Sequence, residues 1–172
     1  VYNHDLILDG FKRPRKKKIK PVVLTVSEVR KIAVSLENLK HRLMVELAYT
    51  AGLRVSELVE VKAQHVSLDK LMLFVPGLGK LGARTTIFSA SLKDALQRQI
   101  GNKSPGDYLF PSEQGGKLTT RSVTKFFKAA LTTSGVEKQV TPHSLRQSFT
   151  AFMLAKGADR IAVQTLLGRR AL

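Results

Sequence analysis

The sequence predicts a mainly α fold with a small antiparallel β-sheet (α+β). Apolar residues recur at helical spacing in one segment after another, and several of these segments open on a capping residue and close on a glycine. Between residues 65 and 89 the pattern changes to short β-branched and aromatic runs on either side of a glycine-rich turn. The 172 residues and 43% hydrophobic content suffice for one main domain with its own core.

Residues 1–24 stand apart. Lys12, Arg13, Arg15, Lys16, Lys17, Lys18 and Lys20 surround Pro14 and end at Pro21, with little to bury. The stretch reads as an exposed basic interdomain linker, either a solvated tail or a strap along nucleic-acid phosphates. Such a beginning leads us to expect an upstream domain, with the folded domain over residues 25–172.

Thr25 followed by Glu28 has the spacing of a capping box, and Val29, Ile32, Ala33 and Leu36 follow at i, i+3, i+4 and i+7. A second helix runs through Leu43, Leu47 and Ala48 and should stop at Gly52, which suits the left-handed conformation after a helix. A third starts almost at once, with Arg54 expected in its first turn. Leu71, Leu73, Phe74 and Val75, the turn Gly77-Leu78-Gly79-Lys80-Leu81-Gly82, and Thr85-Thr86-Ile87-Phe88 make the small sheet.

Helical spacing returns over residues 92–100, and after Thr119 with Val123, Phe126, Phe127, Ala130 and Leu131, an aromatic stripe read as ordinary core. Thr141-Pro142 combines a capping side chain with proline at the first helical position. Leu145, Phe149, Phe152 and Met153 are the expected buried face of that helix, which Gly157 ends. Asp159 should cap a last short helix carrying Ile161, Leu166 and Leu167, stopped by Gly168.

The charge balance narrows the function. Lys and Arg total 29 against 13 Asp and Glu, a formal +16 that points to a polyanion, whether nucleic acid or an anionic membrane, or to a merely soluble basic protein. The absence of cysteine excludes disulfide scaffolds and thiolate metal sites. His4, His41, His65 and His143 show no metal-ligand spacing, so no metal is expected. No apolar run approaches the about 18 residues a membrane span needs, and the first residues lack the order of a signal peptide, so a cytoplasmic or nucleoid protein is expected.

His143 and Arg146, three apart at a helix start, share a face beside the positive end of the helix dipole and suit a phosphate. Alone, the pair reads equally as a surface ion-pairing arginine. In Ala51-Gly52-Leu53-Arg54-Val55-Ser56-Glu57-Leu58 an arginine at a helix start has a carboxylate one turn on, able to hold it or a neighbour in place. Taken alone, this too is an ordinary helix-surface pair. Lys80 lies in a tight turn that could present one ammonium to a groove, or leave it solvated.

Taken together, these segments resemble the catalytic domain of tyrosine recombinases, the family of phage integrases and Xer-type resolution enzymes. Tyr49-Thr50-Ala51-Gly52-Leu53-Arg54-Val55-Ser56-Glu57-Leu58 is similar to the family's first arginine box, and Gly79-Lys80-Leu81-Gly82-Ala83-Arg84 to its strand-turn lysine. Thr141-Pro142-His143-Ser144-Leu145-Arg146-Gln147-Ser148-Phe149 resembles the His-x-x-Arg box, and Gly157 through Gly168 the segment before the next site position. The order agrees from about Leu24 onward.

The resemblance implies a tyrosine attacking a phosphate of double-stranded DNA, a 3′-phosphotyrosyl bond and a released 5′-hydroxyl, without metal or nucleotide cofactor. It implies self-association on DNA into a tetrameric synapse as well. Arg54 and Arg146 would stabilise charge on the nonbridging oxygens, Lys80 would act as general acid, His143 would handle the nucleophile's proton, and Glu57 would orient them.

There are departures from the family pattern. After Leu167-Gly168 the family has histidine or, less often, tryptophan, where this chain has Arg169, a cation but no proton acceptor near neutral pH. It could bind a phosphate oxygen or be solvated. Gln147 stands where a histidine commonly follows the second arginine. The family's tyrosine would fall beyond Leu172, and Tyr2, Tyr49 and Tyr108 match no such position, so no nucleophile is expected within the segment. A longer parent, natural loss of cleavage and a tyrosine lent by a partner chain all remain open. A non-cleaving DNA-binding or regulatory protein is the alternative function, and a basic RNA-binding protein would explain the charge but not the motif order.

Overall fold

A computed structural model describes residues 22–77 and 82–168. Chain entry is already part of the packing: Leu24 is buried, and its N–H donates to the Ser148 hydroxyl at 2.8 Å. Helix α1 (Val26–Val34) then begins as the spacing predicts, with Thr25 accepting from the Glu28 N–H and Glu28 accepting from the Thr25 N–H. Its Val29, Ile32 and Ala33 face inward.

Helix α2 (Leu39–Thr50) buries Leu43, Met44, Val45, Leu47, Ala48 and Tyr49, more than a stripe, because α1, α4, α5 and α6 all pack around it. Full burial of a leucine such as Leu47 contributes about 1.5–3 kcal/mol, so this central helix organises the domain. It ends as expected: Gly52 has φ +61°, and the Leu53 N–H returns to the Ala48 carbonyl at 3.0 Å. Helix α3 (Val55–Leu58) follows, with Arg54 as its N-cap, one residue before the first turn rather than in it.

The sheet is antiparallel in the order β1 (Val66–Ser67), β2 (Met72–Val75), β3 (Arg84–Ile87). Register pairs Leu73 with Thr86 and Val75 with Arg84. Leu71, expected in a strand, instead has φ +52° in the turn before β2. Leu73, Val75 and Thr86 are buried, while Met72, Phe74 and Ile87 are exposed, the alternation of a sheet covered on one face.

A 3-10 turn (Ala90–Leu92) leads into α4 (Lys93–Ile100), and α5 (Thr120–Thr133) starts on Thr119, whose hydroxyl accepts from the Ser122 N–H. The aromatic stripe of α5 is core: Val123, Phe127 and Ala130 are buried, and Phe126 stacks on His41 with centroids 4.1 Å apart.

Helix α6 (Pro142–Ala155) has Pro142 at its start. Its capping hydroxyl belongs to Ser144, which accepts from the Thr141 N–H at 3.2 Å, rather than to Thr141. Leu145 and Phe149 are buried as expected, but Phe152 is 39% exposed and Met153 half-buried. Periodicity marks an apolar face without saying how far neighbours cover it, and Phe152 lies beside the Tyr49 ring over an open apolar groove. Asp159 caps α7 (Arg160–Leu167) through the Ala162 N–H, and Gly168 ends it at φ +63°. Val163 and Leu167 join Phe149 in a small second core. Among the described residues no helix is long and apolar enough to cross a membrane.

Candidate active site

Arginines from three parts of the chain converge on Glu57, which is 1% exposed. The local sequence explains the first contact. Arg54 is extended at φ −77°, ψ 154°, so a carboxylate three residues on folds back onto it: Glu57 Oε2 accepts the Arg54 N–H at 2.7 Å and Oε1 accepts Arg54 Nη1 at 3.2 Å. From β3, Arg84 donates from Nη1 to Oε1 at 2.6 Å and from Nη2 to Oε2 at 2.9 Å. From α6, Arg146 brings Nη1 to 3.5 Å from Oε2.

Burial by itself pushes the Glu57 carboxyl up. Hydrogen bonds from Arg84 and from the Arg54 N–H, with the charges of Arg84 and Arg146, outweigh it and hold the group below the usual carboxylate range. Three guanidiniums against one carboxylate leave two net positive charges (3 − 1) at one place, a setting for an anion.

The cationic groups differ in access. The Arg54 side chain is 29% exposed, and His143 is exposed in the first turn of α6. Arg146 is 1% exposed, with Nη1 donating to the Gly52 carbonyl at 2.8 Å and Nη2 to the Leu167 carbonyl at 2.6 Å. It therefore joins α2, α6 and α7 as well as facing Glu57. Arg84 Nε donates to the Leu166 carbonyl at 2.7 Å, so two arginines satisfy successive carbonyls at the end of α7, where cations are favourable.

The structure thus brings Arg54, Glu57 and Arg146 together, with His143 one helical turn from Arg146. Lys80, Arg169 and the linker residues Lys12, Arg13, Arg15, Lys16, Lys17, Lys18 and Lys20 lie outside the described residues. Arg84 is the member that the sequence reading left without a role. Its signal was register: it alternates with Thr86 on the inward side of β3, and an inward arginine requires a buried acceptor.

Comparison with known proteins identifies the family. Residues 22–171 match the profile of the phage integrase family. The chain is 33% identical over 180 aligned positions to the tyrosine recombinase XerD of Listeria innocua, covering 96% of this chain and 60% of that protein. Among solved structures, the XerA recombinase superposes with a TM-score of 0.78 at 26% identity, over 88% of this chain and 57% of that one. A lambda integrase fragment, solved as a dimer bound to a core site, superposes at 0.73 over 93% of this chain and 62% of its own, and at 24% identity shows shared fold. By sequence along nearly its whole length and by architecture, the chain belongs to the phage integrase family, that of the tyrosine recombinases.

Proposed function

We propose that this chain is the catalytic part of a site-specific recombinase that cuts and rejoins double-stranded DNA through a 3′-phosphotyrosyl intermediate. The observation that carries the reading is the Arg54–Glu57–Arg146 cluster, built from two separate motifs and left with net positive charge. A phosphodiester displacement gathers negative charge on nonbridging oxygens, and fixed guanidiniums stabilise it without reorganising. Arg54 is the accessible donor, while Arg146 supports the site from below and supplies charge.

Lys80 gives its proton to the leaving 5′-oxygen, His143 exchanges the proton of the attacking tyrosine, and Arg169 adds a further cation. Lys12, Arg13, Arg15, Lys16, Lys17, Lys18 and Lys20 bind backbone phosphates, and the protein acts in the cytoplasm at the nucleoid as a tetrameric synapse. The net charge of +16 supports the phosphate contacts, and the lambda integrase neighbour was solved bound to its core site.

Covalent capture tests the proposal. The natural full-length protein is incubated with a pool of nicked duplexes of randomised sequence, in which the leaving strand diffuses away and traps the adduct. The expected result is a denaturation-resistant protein–DNA band, absent in Arg54→Ala although that variant still binds duplex. Salt-sensitive duplex binding with no covalent band from any member of the pool would leave a non-cleaving DNA-binding protein on this fold.

A further inference from the structure

We propose that Arg84 is a positioning residue for strand cleavage: by bonding both oxygens of Glu57 it limits that carboxylate to a single, longer contact with the Arg54 guanidinium, leaving the rest of that guanidinium available to a phosphate. The proposal rests on the recombinase reading above.

The distances rank the claims on Glu57. Arg84 makes two bonds, at 2.6 and 2.9 Å, the paired arrangement in which one guanidinium uses both carboxylate oxygens. Arg54 has one side-chain contact at 3.2 Å, and Arg146 stands at 3.5 Å. Exposure divides the labour the same way. The Arg84 side chain is 6% exposed and is spent on interior acceptors, whereas that of Arg54 is 29% exposed. A buried carboxylate deprived of Arg84 would still need a partner, and Arg54, three residues away and already bonded through its N–H, is placed to provide it. Such a closed pair would cancel the charge that the reaction uses.

Arg84 also sets the relation between segments. It opens β3, its Nε holds the Leu166 carbonyl, and its Cδ lies where a Cβ on Gly168 would come within 2.8 Å. One side chain therefore ties β3 and Glu57 to the end of α7, the point from which the chain continues to Arg169.

The test measures single-turnover formation of the covalent complex at saturating nicked duplex, together with duplex affinity, in the full-length protein carrying Arg84→Lys, Arg84→Met, Arg84→Met with Glu57→Gln, Arg84→Lys with Glu57→Gln, and Arg54→Ala. We expect Arg84→Lys and Arg84→Met to slow the step by about 100-fold, the scale of a slightly misplaced catalytic group, with duplex affinity unchanged. Adding Glu57→Gln should recover part of the rate, because a neutral amide no longer draws Arg54 away. A merely structural ion pair predicts the reverse, the double variant being no faster than the single one. Should Arg84→Met fail to fold, the Lys pair carries the same comparison. Wild-type rates in the Arg84 variants, or no recovery on adding Glu57→Gln, overturn the proposal while loss of cleavage in Arg54→Ala keeps the recombinase reading. A wild-type rate in Arg54→Ala, or no adduct from the unaltered protein, overturns both.

Discussion

The ring of Phe149 occupies the space that a side chain on Gly52 would need: a Cβ built there falls 2.6 Å from Phe149 Cδ1 and 3.0 Å from Leu167 Cδ2. This close approach lets α6 and α7 settle over the end of α2, and it brings the Gly52 carbonyl within 2.8 Å of Arg146 Nη1. Gly52→Ala meets two penalties, a left-handed φ and an overfilled contact, together about 2–4 kcal/mol. Urea unfolding of the variant should show a lower midpoint. An unchanged midpoint would mean that α6 and α7 adjust freely, against the packing described.

Acid should weaken the domain partly through Glu57. Its carboxyl is held below its ordinary range in the fold, so the unfolded chain binds the proton more readily. The resulting stabilisation is fully present above the unfolded value of about 4.3 and is lost as pH falls through the lower folded value. Glu28 adds to the same acid limb, lowered chiefly by its hydrogen bond from Lys138. Unfolding free energies measured from neutral pH down to about pH 3 should fall less steeply in Glu57→Gln than in the unaltered chain. Parallel curves would show that Glu57 is not held in its ionised form by folding.

Ser148 joins the chain entry to the helix that bears His143 and Arg146. Its hydroxyl accepts the Leu24 N–H at 2.8 Å and donates to the Ser144 carbonyl at 2.7 Å, with Ser148 1% exposed. Ser148→Ala leaves a buried N–H without that acceptor, a loss of about 1–3 kcal/mol. Amide exchange at Leu24 should accelerate more than the global loss of stability accounts for. Equal acceleration throughout the domain would argue against a local latch.

Arg54 and Arg146 should separate in their effects. Removing a transition-state donor costs about 2.7–4 kcal/mol, or 10²–10³ in rate, and both Ala variants of the full-length protein should lose cleavage on that scale. Only Arg146→Ala should also lower the melting temperature markedly, because its side chain supports the Gly52 and Leu167 carbonyls from a buried position. Arg169→His, which supplies the group more usual at that position, should preserve or raise cleavage. Equal melting temperatures for the Arg54 and Arg146 variants would contradict the structural part assigned to Arg146.

Much of the architecture was written locally. Thr25 with Glu28, Thr119, Asp159, and the glycines at 52, 157 and 168 set helix limits through hydrogen bonds and φ values that reach only a few residues along the chain. The failures were of another kind. Leu71 left the strand for a turn, and Phe152 stayed exposed at the end of an apolar face, because alternation and periodicity describe an element without its neighbours.

The site divides in the same way. The sequence by itself determined the Arg54–Glu57 pair, since three residues at a helix start bring the carboxylate back to the N–H, and it placed His143 and Arg146 one turn apart on a single helix. Only the tertiary structure decided that Arg146 is buried against Gly52 and Leu167, and that Arg84, 27 residues from Glu57, takes both of its oxygens. The physical reason is that a buried charge takes whichever complementary group packing delivers, and the strand pairing and helix crossings that deliver it involve residues far apart in the chain.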